Sequence, residues 1–348
     1  MKKFILRLLA VILVTLVLLV AALYGVMWIL VKGPSSAAKQ QFVCAVQESS
    51  AMGWVANLYL SQEEIDQILE KNRMQEVAQG TVSDVGMIHI SNTEEPNNSN
   101  QADTQPNANE ETPDIQIEDV VGTTYRGKMM IVKDPSRIFV GTVEEFKEGT
   151  GQVVSEIAKR YGAIGGINGG EFVDMGSYAY SAMPVGCVIS QGNVLSGSMD
   201  TVYNITGFNN DNVLVVGKMT LRQAVEMGVR DCVHTLHETG PFLIINGEPL
   251  SVPDTSVYGG GKNPRTAIGQ RADGAVLLLT VDGRQANSIG ATFKELVYIM
   301  QDYGAVNAAA MDGGTSTQMV YNGEVINSPY SPTGPRTCPT AYLVAPQN

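Results

Sequence analysis

Positive charge is scarce in this chain, and what there is does not gather into a face. Against 35 acidic residues stand 23 lysines and arginines, for a formal net charge of -12. Ten acids and no lysine or arginine fall between Met74 and Tyr125, so that stretch carries most of the imbalance. Without a basic face, nucleic acid is excluded as an expected partner. Cysteine is almost as sparse. Cys44, Cys187, Cys232 and Cys338 match neither zinc-ligand nor CxxC spacing. A chain of 348 residues builds a core without staples, so buried free thiols are at least as good a reading as one disulfide among the last three. Histidine occurs three times, as His89, His234 and His237. His234 and His237 stand i, i+3 beside Glu238, but no third ligand is near and no H-E-x-x-H is present. A polar pocket wall is the better reading there than a metal site. The P-loop pattern G-x-x-x-x-G-K-[ST] is missing, and so is the G-x-S-x-G elbow of Ser-His-Asp hydrolases. No internal repeat is visible.

What the chain does have begins at its N-terminus. Phe4 to Val31 is almost purely apolar and long enough to cross a bilayer as a helix. Lys2, Lys3 and Arg7 lie before or at its start, which predicts an inside N-terminus and an outside bulk. The run is too long for a signal peptide, and no small-x-small site follows Trp28. Residues 1–32 therefore read as a cytoplasmic tip and a single-pass cell-membrane anchor. Residues 33–90 read as a helical juxtamembrane segment, a spacer or small packing module without chemistry of its own. Phe42, Val46, Trp54, Leu58 and Leu60 would form its apolar face, and Ser61-Gln62-Glu63-Glu64 is a capping box opening a helix through Arg73. Residues 91–119 are rich in Asn, Gln, Glu, Pro and Thr and almost free of apolar side chains. They cannot offset the entropy of ordering, so they read as an acidic disordered linker and set the boundary of a domain at 120–348.

In that domain apolar runs outnumber helical patterns. Strands are expected at Lys128–Val132, Arg137–Gly141, Ala163–Ile167, Pro184–Ser190, Val213–Val216, Phe242–Ile245, Ala275–Val281, Val306–Met311, Gln318–Tyr321 and Thr340–Val344. Helices are expected at Gly151–Tyr161, Leu221–Met227 and Phe293–Tyr303, the last opened by the capping box Thr292-Phe293-Lys294-Glu295. Runs of strands broken by few helices predict an α+β fold, a mixed sheet with a few packed helices.

The chemistry concentrates between Asn263 and Gln318. Two apolar strands are each followed at once by aspartate and glycine, at Asp282-Gly283-Arg284 and at Asp312-Gly313-Gly314-Thr315-Ser316-Thr317. If the strands are parallel neighbours, Asp282 and Asp312 meet at one sheet edge within roughly 5–10 Å. Such a pair suits general acid and base or nucleophile roles, or equally a divalent cation held by oxygens; otherwise each Asp-Gly is simply a turn. Gly313 and Gly314 let backbone amides approach an anion, and Ser316 and Thr317 add hydroxyls. Arg265 and Thr266 follow a stiffening Pro264. Arg265 and Arg284 are candidates to grip a phosphate or carboxylate, though surface ion pairs are the commoner use of an arginine. Asn168-Gly169-Gly170-Glu171 repeats the strand-then-glycine arrangement, with Asn168 suited to a sugar hydroxyl or acetamido group and Glu171 and Asp174 as further acids.

Taken in order, Ile167-Asn168-Gly169-Gly170, Asn263-Pro264-Arg265-Thr266-Ala267-Ile268-Gly269, Val281-Asp282-Gly283-Arg284 and Met311-Asp312-Gly313-Gly314-Thr315-Ser316-Thr317 resemble the motifs of the phosphodiester glycosidase family, over about Val120 to Pro346. The resemblance implies a hydrolase acting at a sugar-1-phosphodiester of glycoconjugates. It places Asn168, Arg265, Asp282, Arg284, Asp312, Gly313, Gly314, Ser316 and Thr317 around the pocket, with Arg336 of Pro335-Arg336-Thr337 as a third anion ligand. Two departures bear on the substrate. The family usually has an aromatic where Glu171 stands and a third glycine where Thr315 stands. The expected protein is thus a membrane-anchored extracellular hydrolase taking a sugar-phosphate or glycan substrate, with no cofactor expected and a divalent cation as the open alternative. A non-catalytic glycan-binding or envelope-assembly protein, or a cation-dependent phosphodiesterase, are the competing readings.

Overall fold

The computed structural model describes residues 2–47, 52–72, 77–90, 114–173, 182–236, 242–250, 261–328, 330–331 and 334–347. Its centre is a seven-stranded sheet in the order β1 (Ile115–Val121), β2 (Arg126–Val132), β13 (Val276–Val281), β12 (Arg265–Arg271), β14 (Ala305–Met311), β10 (Phe242–Ile245) and β11 (Glu248–Pro249). A second sheet runs β16 (Glu324–Val325), β15 (Met319–Tyr321), β4 (Gly165–Asn168), β17 (Thr340–Val344), β3 (Ile138–Thr142). A third runs β6 (Asn193–Ser196), β5 (Val188–Ser190), β9 (Val229–His234), β7 (Val202–Asn209), β8 (Leu214–Thr220). The helices are α1 (Lys2–Lys32), α2 (Ser36–Gln47), α3 (Trp54–Asn57), α4 (Gln62–Lys71), α5 (Val154–Arg160), α6 (Leu221–Glu226) and α7 (Phe293–Asp302).

The layers follow from strand patterning. β13 reads V-L-L-L-T-V and is buried throughout, as a strand covered on both faces must be. Its Leu277, Leu279 and Val281 meet Phe293, Leu296 and Met300 of α7 on one side. Val276 and Leu278 face a second core to which all three sheets contribute, through Ile167, Phe208, Val233, Met319 and Tyr342 among others. The other two sheets are covered outside by α5 and α6 respectively. The fully buried Tyr342 of β17 donates its hydroxyl to the Thr206 carbonyl of β7 and so ties these two sheets together. The capping boxes at Ser61 and Thr292 form as read, and a third forms at Thr220 with Gln223. All four cysteines are buried free thiols.

The α+β class stands, but three details differ from the sequence reading. Every ladder among the described strands is antiparallel, so no parallel pairing of a mixed sheet is formed among them. β13 and β14 do run in the same direction, yet β12 lies between them and pairs with both. Their aspartates therefore share an edge two strand spacings apart, about 9.6 Å at the backbone, where neighbouring strands would give about 4.8 Å. Second, β1 begins at Ile115, inside the expected linker, because Ile115 and Ile117 of that stretch pack against the central core. Third, residues 77–90 are not helical beyond one short turn at Val85–Met87. They strap the domain: Gly80 and Ser83 donate to Lys218 and Val216 carbonyls, Lys218 donates to Thr81, and Val82 bridges Gly217 at the open edge of β8.

Candidate active site

The four motifs converge at one end of the sheets. Asn168 closes β4, Arg265 opens β12, and Asp282 and Asp312 follow β13 and β14. Asn168 joins them. Its fully buried amide donates to the Asp312 carbonyl at 2.7 Å and accepts from Thr266 Oγ1 at 2.8 Å and from the Gln318 amide at 3.2 Å. The Asp312 amide in turn donates to the Gly169 carbonyl, and Gly170 packs with no room for a side chain against the His234 carbonyl of β9. Asn168 thus registers the second sheet against the first and fixes where Asp312 starts.

After Asp312 the chain turns through a short 3-10 segment, Gly314–Ser316. Gly314 has φ +62, which glycine adopts without strain, and a Cβ there would stand 3.4 Å from a guanidinium nitrogen of Arg284. Arg284 itself has a left-handed backbone, φ 58, a conformation that costs a non-glycine residue of order 1–3 kcal/mol. Its Nε and Nη2 both donate to Asn263 Oδ1, at 3.3 and 3.2 Å. A cation is thereby held directly against the Gly313–Gly314 turn. The Gly314 amide is used on the Pro264 carbonyl, whereas those of Gly313 and Thr315 make no hydrogen bond among the described residues. The hydroxyls of Ser316, Thr317 and Thr337 are buried without a hydrogen-bond partner among the described residues, a rare condition that polar ligand sites share.

Asp282 is buried, and burial raises its carboxyl above the ordinary value. Bonds from Asn327 Nδ2 and the Ser328 amide to Oδ1, both 2.9 Å, and the charge of Lys128 pull the other way without cancelling the rise. Its Oδ2 makes no hydrogen bond among the described residues. Arg265 is placed differently from Arg284. Its guanidinium is buried over the Phe293 ring at 4.1 Å and donates to the carbonyls of Ala291 and Gly261. Arg336 stacks on Phe172 at 5.0 Å, one residue beyond Glu171, and Gln318 donates to its carbonyl. Glu171 is half-buried, with its amide on the Thr235 carbonyl. His234 lies buried on β9, edge-on to Tyr203. Asp174, His237 and Glu238 fall outside the described residues. Among the described residues no three of His, Cys, Asp and Glu gather as a metal site would need.

Three contributors escaped the sequence reading. Asn327 joins Asp282 to the Thr317 carbonyl and the Met319 amide, Gln318 joins Asn168 to Arg336, and Asn263 seats Arg284. Only Asn263 and Gln318 touch a recognisable motif.

Comparison with known proteins gives a consistent picture. The phosphodiester glycosidase family model matches residues 161–345. The mouse N-acetylglucosamine-1-phosphodiester alpha-N-acetylglucosaminidase is 25% identical over 156 residues, 42% of this chain and 30% of that protein. The SPbeta prophage-derived uncharacterized protein YomE of Bacillus subtilis (strain 168) is 43% identical over 67 residues, 19% of this chain and 10% of that protein. The chain thus spans a third or less of either curated relative. The catalytic domain of the zebrafish N-acetylglucosamine-1-phosphodiester alpha-N-acetylglucosaminidase, auto-inhibited by its pro-peptide, shares the fold with a TM-score of 0.55 at 22% identity, over 69% of this chain and 86% of that one.

Proposed function

The chain belongs to the phosphodiester glycosidase family, and on that premise we propose that it is a hydrolase cleaving the sugar side of a sugar-1-phosphodiester in a cell-surface glycoconjugate or polysaccharide. The observation that carries this reading is the Arg284 guanidinium held against Gly314, beside Asp312 and the open amides of Gly313 and Thr315. Cation and amides together suit the two non-bridging phosphate oxygens, which share one negative charge. Asp312 directs a water to the anomeric carbon or attacks it first. Asp282, whose carboxyl burial raises, holds the proton that passes to the departing phosphate oxygen. The anomeric C–O bond breaks and the water oxygen bonds to carbon, its proton passing to Asp312 in the direct route or to the deprotonated Asp282 if Asp312 attacked first; free sugar and a phosphomonoester leave, and exchange with solvent restores both carboxyls. With β12 between their strands, the two aspartates start about two strand spacings apart, and in this reading they flank the link from opposite sides. Asn168 and Arg265, whose polar groups bind the protein itself, position the site in this reading, and Glu171, Ser316, Thr317 and Arg336 surround the sugar and its phosphate. Helix α1, 31 residues and apolar, is long enough to cross a membrane and serves as the anchor, with the domain outside.

Asp282→Asn and Asp312→Asn are each expected to cut release of sugar from a synthetic sugar-1-phosphodiester by about 10²–10⁴-fold. Undiminished turnover in both variants overturns the assignment. Phosphate-bearing sugar as product, lost with chelator, would instead mean a cation-dependent phosphodiesterase. Saturable binding of a surface polymer with no product over long incubation would mean a glycan-binding protein.

A further inference from the structure

The residues just outside α1 form a small core of their own. Val31 packs with Val43, Ala56, Leu60 and Ile65, and Glu64 lies between Lys32 and Lys39 at 3.8 and 3.7 Å. This module is not a stalk of continuous helix. α3 is a separate short helix, so the apolar face expected across Phe42, Val46, Trp54, Leu58 and Leu60 is split: Phe42, Val46 and Leu60 pack inward, whereas Trp54 and Leu58 turn out. Met52, Trp54 and Leu58 are 47%, 62% and 52% exposed. Trp54 and Leu58, four apart, share one side of the segment.

The height of that side relative to α1 is fixed by a ring contact. Tyr59 stacks on Tyr24 with centroids 5.0 Å apart. A hydrocarbon core of about 30 Å takes about 20 residues of helix. Counted from Phe4 it ends at Leu23, and counted from the residue after Arg7 it ends at Met27. Tyr24 therefore stands at the outer boundary or one turn inside it, and α3 lies alongside at the level where tryptophan and tyrosine girdle a bilayer. The acids of α4 that are exposed, Glu63, Asp66 and Glu70, belong to a different helix from Trp54.

We propose that Met52, Trp54 and Leu58 enter the outer headgroup–acyl boundary of the membrane, making the module a foot that seats the protein on the lipid surface. The inference rests on α1 being an anchor but not on any catalytic activity. It is tested with the full chain in phosphatidylcholine vesicles, because the chain has only two tryptophans, Trp28 and Trp54. In Trp28→Phe, Trp54 alone reports, and its emission is expected to be quenched several-fold more by a lipid nitroxide near the headgroup than by aqueous iodide. In Trp54→Phe, Trp28 reports whether α1 is inserted. Lipid quenching of Trp28 with Trp54 open to iodide overturns the foot and leaves the anchor. Quenching of neither by lipid removes both. A nitroxide on Met52→Cys, selective because the native cysteines are buried, gives a second depth reading and is expected to be more accessible to oxygen than to a water-soluble nickel chelate; the reverse order overturns the proposal.

Discussion

Asn327 has no motif around it, yet its side chain donates to Asp282 Oδ1 and the Thr317 carbonyl and accepts from the Met319 amide. It holds the anion of a carboxyl that burial drives toward the protonated form. Asn327→Ala is expected to destabilise the fold by about 1–3 kcal/mol and to move the alkaline limb of the pH–rate profile to higher pH, because the anion loses a donor. Kinetics across pH with a synthetic sugar-1-phosphodiester would check the second effect independently of the first. The sign for stability follows from the same rise. A carboxyl raised in the folded state adds stability that is present below its unfolded value and lost as pH rises through its folded value. Asp282→Asn lacks that dependence, so its stability relative to the parent should increase with pH over that window, as read by urea unfolding at several pH values. Gly314→Ala places a methyl against the Arg284 guanidinium at φ +62; a loss of about 1–2 kcal/mol in stability with a raised KM is expected, whereas a change in stability alone would mean that the turn does not meet substrate.

Among the elements, the strap at residues 77–90 makes a soluble form easy to misjudge. Starting the chain at Val120 removes it and cuts β1 after five of its seven residues. Four hydrogen bonds join Gly80, Thr81 and Ser83 to Val216 and Lys218, worth about 2–6 kcal/mol together. A form starting at Val77 is therefore expected to unfold at clearly higher denaturant than one starting at Val120. Elements with local signals were legible in the sequence: capping boxes at Ser61 and Thr292, and the doubly covered β13 and β14. β7 and β9 were not, because V-Y-N-I-T-G-F-N and V-R-D-C-V-H mix polar residues whose partners are remote. Asp231 is buried in β9 by bonds from the Val140 and Gln191 amides and by Arg230, none of which adjoins it in a readable pattern except Arg230. The insertion of β12 between β13 and β14 was hidden for the same reason: order within a sheet is set by non-local pairing, while an Asp-Gly after a strand reveals only which edge it reaches.

At the scale of the whole molecule, the layers leave no thiol within reach of solvent. Burial pushes Cys338 up to about 12, and the hydrogen bond with Cys187, with burial adding to it, raises Cys232 well above the usual thiol range. The folded protein should resist an aromatic disulfide reagent at pH 8, and all four thiols should react once it is unfolded; rapid reaction of any one in the native state would contradict the packing. The pocket motifs, by contrast, come from three widely separated stretches of chain, so that their shared edge exists only when the sheets have docked through Asn168 and Thr266.

Gly261 accepts Arg265 through its carbonyl and lies against α2, where a Cβ would stand 2.3 Å from the Ala45 Cα. Ala45 follows the end of α1 by thirteen residues, which at the rise of a helix and the reach of a short extended link is at most about 28 Å. For an anchored chain this converts encounter with substrate from a search through volume into one across an area. A phosphodiester carried by a lipid in the same leaflet then meets the site at the effective concentration of a tethered ligand, on the order of millimolar, while a freely diffusing one gains nothing.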